Sequence, residues 1–473
     1  MLNAVHRIDQ QLKTAGSKPA LVFPKGQSFT SLSFADCREL AARVQTALVA
    51  KGLQEGQSVL IAIELSPLLY ASIIACARLG LTVTLVEPWM PLARIEQAVG
   101  LLQPKAFLAG PIGRLWGLRV AAIRKIPHWL HARELSIAAA QEEQCVAVDG
   151  ELPCIITFTS GSTGVPKGVV RSHAYLGRQQ EVVSRSLQTS ALGPDLVIFA
   201  NMALENLAHG RCSVIVPSRW PIKALRSIDQ LPSELSPQSL VGGPSFLRLA
   251  LNHLRLPQLK AFFIGGALSD CALFESALSR WPEARSIHVY GSTEAEPVAF
   301  GSMRDAVAKS RAAGYYQVLF CGQPTEGMSF HQTASQTWIA GPHVCPEYLG
   351  DEVSNLQNKK RDESGTLWHR MGDRIIASSE GWWYAGREQQ AEQDFYDEQR
   401  LYTALQSSDA MIARDDNGGR IVYCSEAKHH RLAIQALWTD TTEVRQAEIK
   451  RDRRHRARID REATRKGRSW IVG

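Results

Sequence analysis

Residues 155–170 read IITFTSGSTGVPKGVV, a β-branched apolar run that passes into a loop of glycine, serine and threonine with one lysine. Gly161, Gly164 and Gly168 allow close approach and positive φ, so successive backbone N–H groups can form an anion-binding nest. Lys167 adds a point charge suited to a phosphate. Hydroxyl donors come from Thr159, Ser160, Ser162 and Thr163. The segment therefore predicts a buried strand that ends in a triphosphate-binding loop.

This loop differs from the P-loop of many nucleotide-binding proteins. A P-loop lysine follows glycine and precedes serine or threonine, whereas Lys167 follows Pro166 and precedes Gly168. A flexible Gly/Ser loop after a strand is the simpler alternative, but ten such residues in this order favour phosphate binding.

The sequence around the loop predicts strands of a parallel sheet. Residues 35–52 have helical apolar spacing, and the segments 58–65, 68–80 and 82–88 form a strand–helix–strand unit. Short apolar runs that end in glycine or a small polar residue recur at 214–218, 239–243, 261–266 and 286–292. In open α/β sheets, ligands gather at the carboxyl ends of such strands.

These patterns predict an α/β fold with two domains. The large N-terminal domain, residues 1–386, is expected to combine mostly parallel sheets flanked by helices with a β-rich subdomain after about residue 320, where runs such as 337–342 alternate with polar turns. A small, reduced C-terminal α+β domain is expected over residues 387–473. Its first residues, 388–400, EQQAEQDFYDEQR, are polar and lack glycine, and we interpret them as a connection.

Composition excludes several classes of protein. The chain has 473 residues, of which 45% are apolar and 21% charged, so disordered, collagen-like and fibrous proteins are excluded. No apolar run approaches the roughly 20 residues of a membrane-spanning helix, and the N-terminus lacks the pattern of a signal peptide. Nine cysteines without a CxxC pair predict reduced thiols, with neither a disulfide framework nor a zinc site. We therefore expect a cytoplasmic protein.

The net charge of +7 is local. Residues 445–468 contain eleven Lys/Arg and four Asp/Glu, which leaves the rest of the chain neutral. Such a segment could bind a phosphate backbone or an anionic membrane. A solvated helix or a frayed terminus is favoured, since no aromatic residues are interleaved for base stacking. We accordingly expect no nucleic-acid partner.

Four ordered motifs resemble those of the adenylate-forming superfamily, which includes acyl-CoA synthetases, luciferases, peptide-synthetase adenylation domains and bacterial β-lactone synthetases. The motifs are TSGSTGVPKG (159–168), YGSTEAEP (290–297), RMGDR (370–374) and GWWYAGR (381–387). Each motif alone has an ordinary explanation, such as a turn residue or a surface acid. Their order and spacing together support the resemblance over most of the chain.

The resemblance implies roles for individual residues. Tyr290 stacks on adenine, Asp373 bonds the ribose hydroxyls, and Arg387 reaches the ribose or a phosphate. Glu294 and Thr163 hold Mg²⁺. The remaining nucleotide-binding positions are Thr159, Ser160, Gly161, Ser162, Gly164, Lys167, Gly291, Ser292 and Thr293. We expect a structural role for His173 and assign none to His209.

The same resemblance implies ATP and Mg²⁺ as cofactors and two half-reactions. A carboxylate attacks the α-phosphate of ATP and gives an acyl-adenylate and pyrophosphate, while Lys167 and Mg²⁺ offset phosphate charge. A thiol of CoA or of an acyl carrier protein then commonly takes the acyl group. In the family the small C-terminal domain rotates between the two steps.

The C-terminal part departs from the family pattern. DRRHRARIDR (452–461) resembles a stretch of the olefin-pathway β-lactone synthetases in which the position of Arg458 is lysine, and that lysine contacts carboxylate and phosphate during adenylation. Arginine keeps the charge but places its donors differently. Lys450 or Lys466 could substitute for it. Only 86 residues follow Arg387, and the glycine-bearing segment usual after the hinge is replaced.

Two further segments, 196–217 and 365–373, also resemble the β-lactone synthetases, which adenylate a 3-hydroxy fatty acid and close the ring with its own hydroxyl. The expected substrate is therefore a fatty or 3-hydroxy fatty acid, and the catalytic residues expected are Lys167, Glu294 and Arg458. Ligation to a thiol and lactone closure remain alternatives. A catalytically degenerate nucleotide-binding protein that acts through partners is the rival hypothesis.

Overall fold

The computed structural model describes residues 3–25, 28–85, 90–141, 143–159, 167–188, 192–216, 225–333, 336–415, 418–438, 443–451, 459–467 and 469–471. Its α-helices are His6–Thr14, Phe34–Val49, Pro67–Arg78, Leu92–Leu102, Pro111–Gly117, Ala121–Arg124, Ala132–Ile137, His173–Leu187, Ala200–Ala208, Pro244–His253, Cys271–Arg280, Met303–Ala312, Glu352–Asn358, Glu392–Leu405, Ala427–Leu437 and Arg461–Lys466, with a 3₁₀ turn at Ser227–Gln230. None of the described helices is both long and apolar enough to cross a membrane.

The strands, numbered in chain order, are β1 Pro19–Lys25, β2 Ser28–Ser33, β3 Ser58–Ala62, β4 Thr82–Leu85, β5 Ala106–Ala109, β6 His128–His131, β7 Pro153–Thr159, β8 Lys167–Ser172, β9 Asp195–Val197, β10 Ser213–Ile215, β11 Ser239–Gly242, β12 Ala261–Gly265 and β13 Arg285–Ser292. They continue as β14 Ala295–Ser302, β15 Phe320–Pro324, β16 Ser329–Gln332, β17 Thr337–Ala340, β18 Tyr348–Leu349, β19 Lys359–Arg361, β20 Leu367–Arg370, β21 Asp373–Ser378, β22 Gly381–Arg387, β23 Ala410–Arg414, β24 Arg420–Cys424, β25 Glu443–Ala447 and β26 Ser469–Ile471.

A seven-stranded sheet contains the predicted strand–helix–strand unit. Its order is β18-β8-β7-β4-β3-β5-β6, and β7, β4, β3, β5 and β6 run parallel. Helix Pro67–Arg78 connects β3 to β4, and Ser66 caps its N-terminus just before Pro67 at the first helical position. The carboxyl ends of the parallel strands therefore lie on one edge, where β7 leads into the glycine-rich loop.

An eleven-stranded sheet contains the other strands predicted before residue 320. Its order is β2-β1-β10-β9-β11-β12-β13-β14-β15-β22-β21. The pairs from β1 through β10, β9, β11 and β12 to β13 are parallel, whereas β14, β15, β22 and β21 extend the sheet in antiparallel pairs. The β-rich expectation after residue 320 is confirmed by this extension and by the four-stranded sheet β16-β17-β20-β19.

Helices lie between the two large sheets. The largest cluster of buried apolar side chains includes Val59 and Val83 of the seven-stranded sheet, Leu21 and Phe263 of the eleven-stranded sheet, and Ile74 of helix Pro67–Arg78. Burial of such side chains is the main favourable term in folding. The α/β fold class expected from the sequence is confirmed.

The polar segment after Arg387 is a helix for most of its length, and its interpretation as a connection is wrong. Helix Glu392–Leu405 buries Asp397, Glu398 and Gln399. It packs on β23, the first strand of a mixed four-stranded sheet, β23-β24-β25-β26. The polar residues mislead because they are paired inside the fold. The domain boundary after residue 386 stays a prediction.

Five basic residues of the segment 445–468 form ion pairs with carboxylates in the described part of the chain. Arg451 pairs with Asp409 and Arg461 with Glu398, both outside the segment. Three further pairs are local, Arg445–Glu443, Lys450–Glu448 and Lys466–Glu462. The segment includes strand β25 and helix Arg461–Lys466, so much of its charge serves the fold.

Candidate functional site

The glycine-rich loop begins and ends at one point of the seven-stranded sheet. Thr159, at the end of β7, is the cross-strand partner of Lys167, at the start of β8. Both strands therefore hold the loop at the carboxyl edge, as predicted. Ser160, Gly161, Ser162, Thr163 and Gly164 lie outside the described residues.

Gly168 shows what one of the predicted glycines does. A Cβ atom at this position would lie 3.2 Å from the Cβ of Leu349 and from a ring carbon of Phe158. Gly168 is not among the positive-φ glycines, so the expectation of positive φ is wrong there and that of close approach is confirmed. The small residue lets β8 lie against β18.

Strand β18 places Tyr348 beside Lys167. The Lys167 Nζ lies 5.2 Å from the centroid of the Tyr348 ring, within the range of a cation–π contact. The Tyr348 hydroxyl donates a hydrogen bond of 2.9 Å to Oε1 of Glu294. Tyr348 therefore brings the loop lysine and the predicted Mg²⁺ ligand into one cluster.

Glu294 carries a negative charge that its neighbours stabilise. Burial by itself raises the pKa of this carboxyl, but His369, Lys359 and the Tyr348 hydroxyl outweigh burial and lower the pKa to about 2. Burial and the nearby Lys359 lower the pKa of His369 to about 3, so this imidazole is neutral at neutral pH. Of the two charged neighbours that lower the pKa of Glu294, Lys359 is therefore the one that can act as a cation at neutral pH.

The Glu294 carboxylate suits a magnesium ion that arrives with a nucleotide. Among the described residues, no group of three or more His, Cys, Asp or Glu side chains could hold a metal ion. Mg²⁺ does not require such a group, because it is usually bound by one or two carboxylates, substrate phosphates and water. One ionised, partly buried carboxylate beside the phosphate loop fits this pattern.

A second cluster joins three residues from three of the sequence motifs. The Tyr290 hydroxyl donates a hydrogen bond of 2.7 Å to Oδ2 of Asp373, and Arg387 approaches Oδ1 of the same carboxylate to 2.7 Å. Asp373 and Arg387 are cross-strand partners on β21 and β22. The structure therefore brings Tyr290, Asp373 and Arg387 together.

Electrostatics reinforce this cluster. Asp373 is buried and stabilises the charged guanidinium, which raises the pKa of Arg387. Burial and then the Asp373 charge raise the pKa of Tyr290, so the phenol keeps its proton as a donor. The arrangement presents a fixed carboxylate, a cation and an aromatic ring, which suit a ribose, a phosphate and a base.

Arg171 joins strand β7 to the segment that carries Glu294, and sequence reasoning missed it. Its guanidinium donates to Oγ1 of Thr157 at 2.6 Å and to the backbone oxygen of Thr293 at 2.9 Å. Ser292, which precedes Thr293 in the chain, has a buried Oγ without a hydrogen-bond partner among the described residues. Such an unsatisfied hydroxyl is expected where a ligand supplies the partner.

The two histidines in question have local partners. Nδ1 of His173 accepts a hydrogen bond of 3.0 Å from the backbone N–H of Ala4, and burial lowers the pKa of His173 to about 4. His209 lies 3.1 Å from Oε1 of Glu205, and that hydrogen bond raises the pKa of His209. The geometry of His173 agrees with the expected structural role.

Arg458 lies outside the described residues. The residues that flank 452–458, Arg451 and Ile459, form an isolated antiparallel bridge. Arg461 then bonds Glu398 of helix Glu392–Leu405. Of the three expected catalytic residues, the structure brings Lys167 and Glu294 together and does not describe Arg458.

Comparisons with known proteins agree with this geometry. The chain is 27% identical over 402 residues to the olefin beta-lactone synthetase of Stenotrophomonas maltophilia (strain K279a), covering 75% of this chain and 72% of that protein. It is 25% identical over 401 residues to the olefin beta-lactone synthetase of Xanthomonas campestris pv. campestris, covering 76% and 72%.

Solved structures share the fold. The O-succinylbenzoate coenzyme A synthetase of Bacillus subtilis, in complex with AMP, superposes with a TM-score of 0.79 at 16% identity and covers 98% of this chain and 99% of its own. The fatty acyl CoA synthetase of Mycobacterium tuberculosis superposes with a TM-score of 0.73 at 16% identity, covering 98% and 97%. The family profile described as AMP-binding enzyme matches residues 8–349, more than half of the chain. This chain therefore belongs to the AMP-binding enzyme family, whose members are adenylate-forming ligases that use ATP.

Proposed function

We propose that this protein activates a carboxylic acid with ATP, forming an acyl-adenylate and releasing pyrophosphate. The observation that carries the proposal is that Tyr290 and Arg387 both contact the carboxylate of Asp373. These residues are distant in sequence, and their cluster presents the groups that a nucleoside requires. The loop between Thr159 and Lys167 supplies the phosphate-binding part.

The proposed chemistry uses these residues to bind and neutralise. A carboxylate oxygen of the substrate forms a bond to the α-phosphorus, the bond between that phosphorus and its bridging oxygen breaks, and pyrophosphate leaves. Lys167 offsets the negative charge that collects on the phosphates. Glu294, with Thr163, would hold Mg²⁺, which when bound supplies further positive charge there. Tyr290 and Asp373 hold the nucleoside.

We further propose a fatty or 3-hydroxy fatty acid as substrate, by analogy with the relatives named olefin beta-lactone synthetase. The apolar segment 196–217 adds little support, because Met202, Ala203 and Leu207 lie in the hydrophobic core. The candidate acceptors of the acyl group are the substrate's own hydroxyl, which closes a lactone, the thiol of CoA and the thiol of a carrier protein. Reduced cysteines are compatible with the proposed cytoplasmic location, since all nine are free and none is exposed.

Exchange of labelled pyrophosphate into ATP tests adenylation. We expect exchange with one class of acid from a panel that includes 3-hydroxy fatty acids. Lys167→Ala should reduce it by about a hundredfold or more, because an electrostatic contact to the phosphates is lost. Lys125→Ala is the matched control, since Lys125 is exposed and lies outside both clusters. Equal exchange in both variants would contradict the role of Lys167.

The acceptor is tested with the acid found in that panel. Pyrophosphate release without thiol consumption indicates lactone closure, whereas release that requires CoA or a carrier protein indicates thiol ligation. Tight ATP binding with no exchange for any acid would favour the rival hypothesis of a degenerate nucleotide-binding protein.

A further inference from the structure

An exposed surface of the N-terminal half combines apolar and basic side chains. Ile112, Leu115 and Leu118 lie on or just after helix Pro111–Gly117 and are 65%, 68% and 50% exposed. Residues 112, 115 and 118 are spaced by three, which puts the helical ones on one face. Exposed basic residues lie among and after them, Arg114, Arg119, Arg124 and Lys125. We call these seven residues the basic–apolar patch.

Close packing fixes which side of the helix faces outward. A Cβ atom at Gly113 would lie 2.0 Å from the backbone oxygen of Ala62, and one at Gly117 would lie 2.6 Å from the Phe107 ring. These two glycines, four residues apart, therefore seat the helix directly on the sheet. The leucine and isoleucine side chains of the patch lie on the side left in solvent, where nothing in the described chain covers them.

Basic residues predominate around the patch, where the nearby carboxylate of Glu96 accepts from the backbone N–H of Ala122. Residues 97–133 contain no Asp or Glu and six exposed basic residues, Lys105, Arg114, Arg119, Arg124, Lys125 and Arg133. No ion pair is found for any of the six within the described part of the chain. Arg124 donates to the backbone oxygen of Leu118 at 2.8 Å, which holds the basic and apolar parts together. The patch thus offers unneutralised positive charge beside exposed apolar groups.

The patch lies on the same edge of the sheet as the phosphate loop. Helix Pro111–Gly117 follows the carboxyl end of β5, and the loop follows the carboxyl end of β7. Strands β4 and β3 separate them in the parallel sheet. Three strand spacings amount to about 15 Å. A surface bound by the patch would therefore lie beside the nucleotide end of the molecule.

We propose that the basic–apolar patch docks this protein on an anionic lipid surface. Its charge is complementary to acidic headgroups, and its three apolar side chains can enter the boundary between headgroups and acyl chains. Exposed apolar side chains mark contacts with either proteins or membranes, and their combination with several unpaired Lys and Arg side chains favours an anionic lipid surface. The inference goes beyond acid activation and does not depend on it.

Vesicle co-sedimentation of the full chain tests the proposal. We expect binding to vesicles of equal parts phosphatidylcholine and phosphatidylglycerol at low salt, weakening at high salt, and none to phosphatidylcholine alone. Ile112→Gln/Leu115→Gln and Arg114→Gln/Arg119→Gln should each reduce the partition constant by about tenfold. The substituted side chains are exposed, so unfolding midpoints should match that of the wild type.

Val353→Gln/Leu356→Gln is the matched control. These residues have the same spacing on helix Glu352–Asn358 and are 64% and 84% exposed, but acidic residues, Asp351 and Glu352, precede them and basic residues, Lys359, Lys360 and Arg361, follow them, so the charge around them is mixed in sign. The control pair should bind vesicles like the wild type. Absence of vesicle binding, equal binding to neutral vesicles, or an equal loss in the control pair would overturn the proposal. Retention on an acidic protein without vesicle binding would assign the patch to a protein partner instead.

Discussion

Asp373 is the residue on which the proposed nucleoside-binding cluster of Tyr290, Asp373 and Arg387 depends. It is buried, it accepts from the Tyr290 hydroxyl, and it pairs with Arg387. Tyr290 holds one oxygen of this carboxylate by a hydrogen bond, and Arg387, on another strand, pairs with the other oxygen, which has no hydrogen bond among the described residues. The carboxylate is therefore constrained on one side and retains an oxygen that can accept from a ligand. Preorganisation of this kind lowers the cost of binding.

Tyr290→Phe should therefore weaken nucleotide binding, because it removes the hydroxyl that holds the Asp373 carboxylate in place. We expect the KM for ATP to rise about tenfold, because a hydrogen bond to a charged group contributes about 1.5 kcal/mol or more. Pyrophosphate exchange over a range of ATP concentrations measures it. Tyr316→Phe is the control, since it removes a hydroxyl that donates to the backbone oxygen of Gln406, away from the cluster. An unchanged KM in Tyr290→Phe would contradict the role assigned to this hydrogen bond.

Helix Glu392–Leu405 shows how one element organises the C-terminal region. Glu398 accepts from the backbone N–H of Ile412 at 2.9 Å, from Gln390 at 2.9 Å and from Arg461. Arg461 also donates to the backbone oxygen of Ile412. One buried carboxylate thus joins the helix, the first strand of the last sheet and the segment after residue 458.

Arg461→Ala should loosen this region. Removal of one partner leaves the buried Glu398 charge less well compensated, and we expect the free energy of unfolding to fall by about 2 kcal/mol, since Arg461 is partly exposed. Urea unfolding monitored by tryptophan fluorescence measures the change.

Lys466→Ala is the control for this substitution, because the Lys466–Glu462 pair is exposed on the same short helix. It should leave the unfolding midpoint unchanged. Equal destabilisation by both substitutions would mean that Glu398 does not anchor the segment.

Buried neutral histidines give the whole molecule a pH dependence. Burial lowers the pKa of His173 to about 4 and that of His288 to about 4, and it also lowers the pKa of His343. Each of these rings bonds a backbone group, Ala4, Phe320 and Pro297 respectively. In the unfolded chain a histidine has a pKa near 6.5.

Stability should consequently fall as the pH falls from about 6.5 toward 4, because the unfolded chain then binds protons that the folded chain excludes. Each histidine contributes a slope of up to about 1.4 kcal/mol per pH unit in that window. Urea unfolding at several pH values measures the slope. His173→Asn retains an acceptor for the N–H of Ala4 but does not titrate. In this variant the slope of the unfolding free energy against pH should therefore be smaller by the contribution of one histidine. An identical slope would show that His173 titrates normally in the folded protein.

The motif residues of the site were predictable because each lies in a local pattern. Lys167, Glu294, Asp373 and Arg387 all stand in short motifs with recognisable order. Tyr348, Lys359 and Arg171 were missed, since each acts on a motif residue from another strand. Only the cross-strand register, such as that of Tyr348 with Val169, brings them to the site.

The sequence alone determined the α/β class, some of the strands of both large sheets and the family, because apolar periodicity and glycine-rich turns are local properties of the chain. It failed for residues 388–400, where polarity indicated a connection and the chain forms a helix with buried carboxylates. Tertiary structure decided that outcome, as it decided the partners of Asp373 and Glu294. The physical reason is that a buried charge is stable only beside its counter-charge or donors, and these come from distant parts of the sequence.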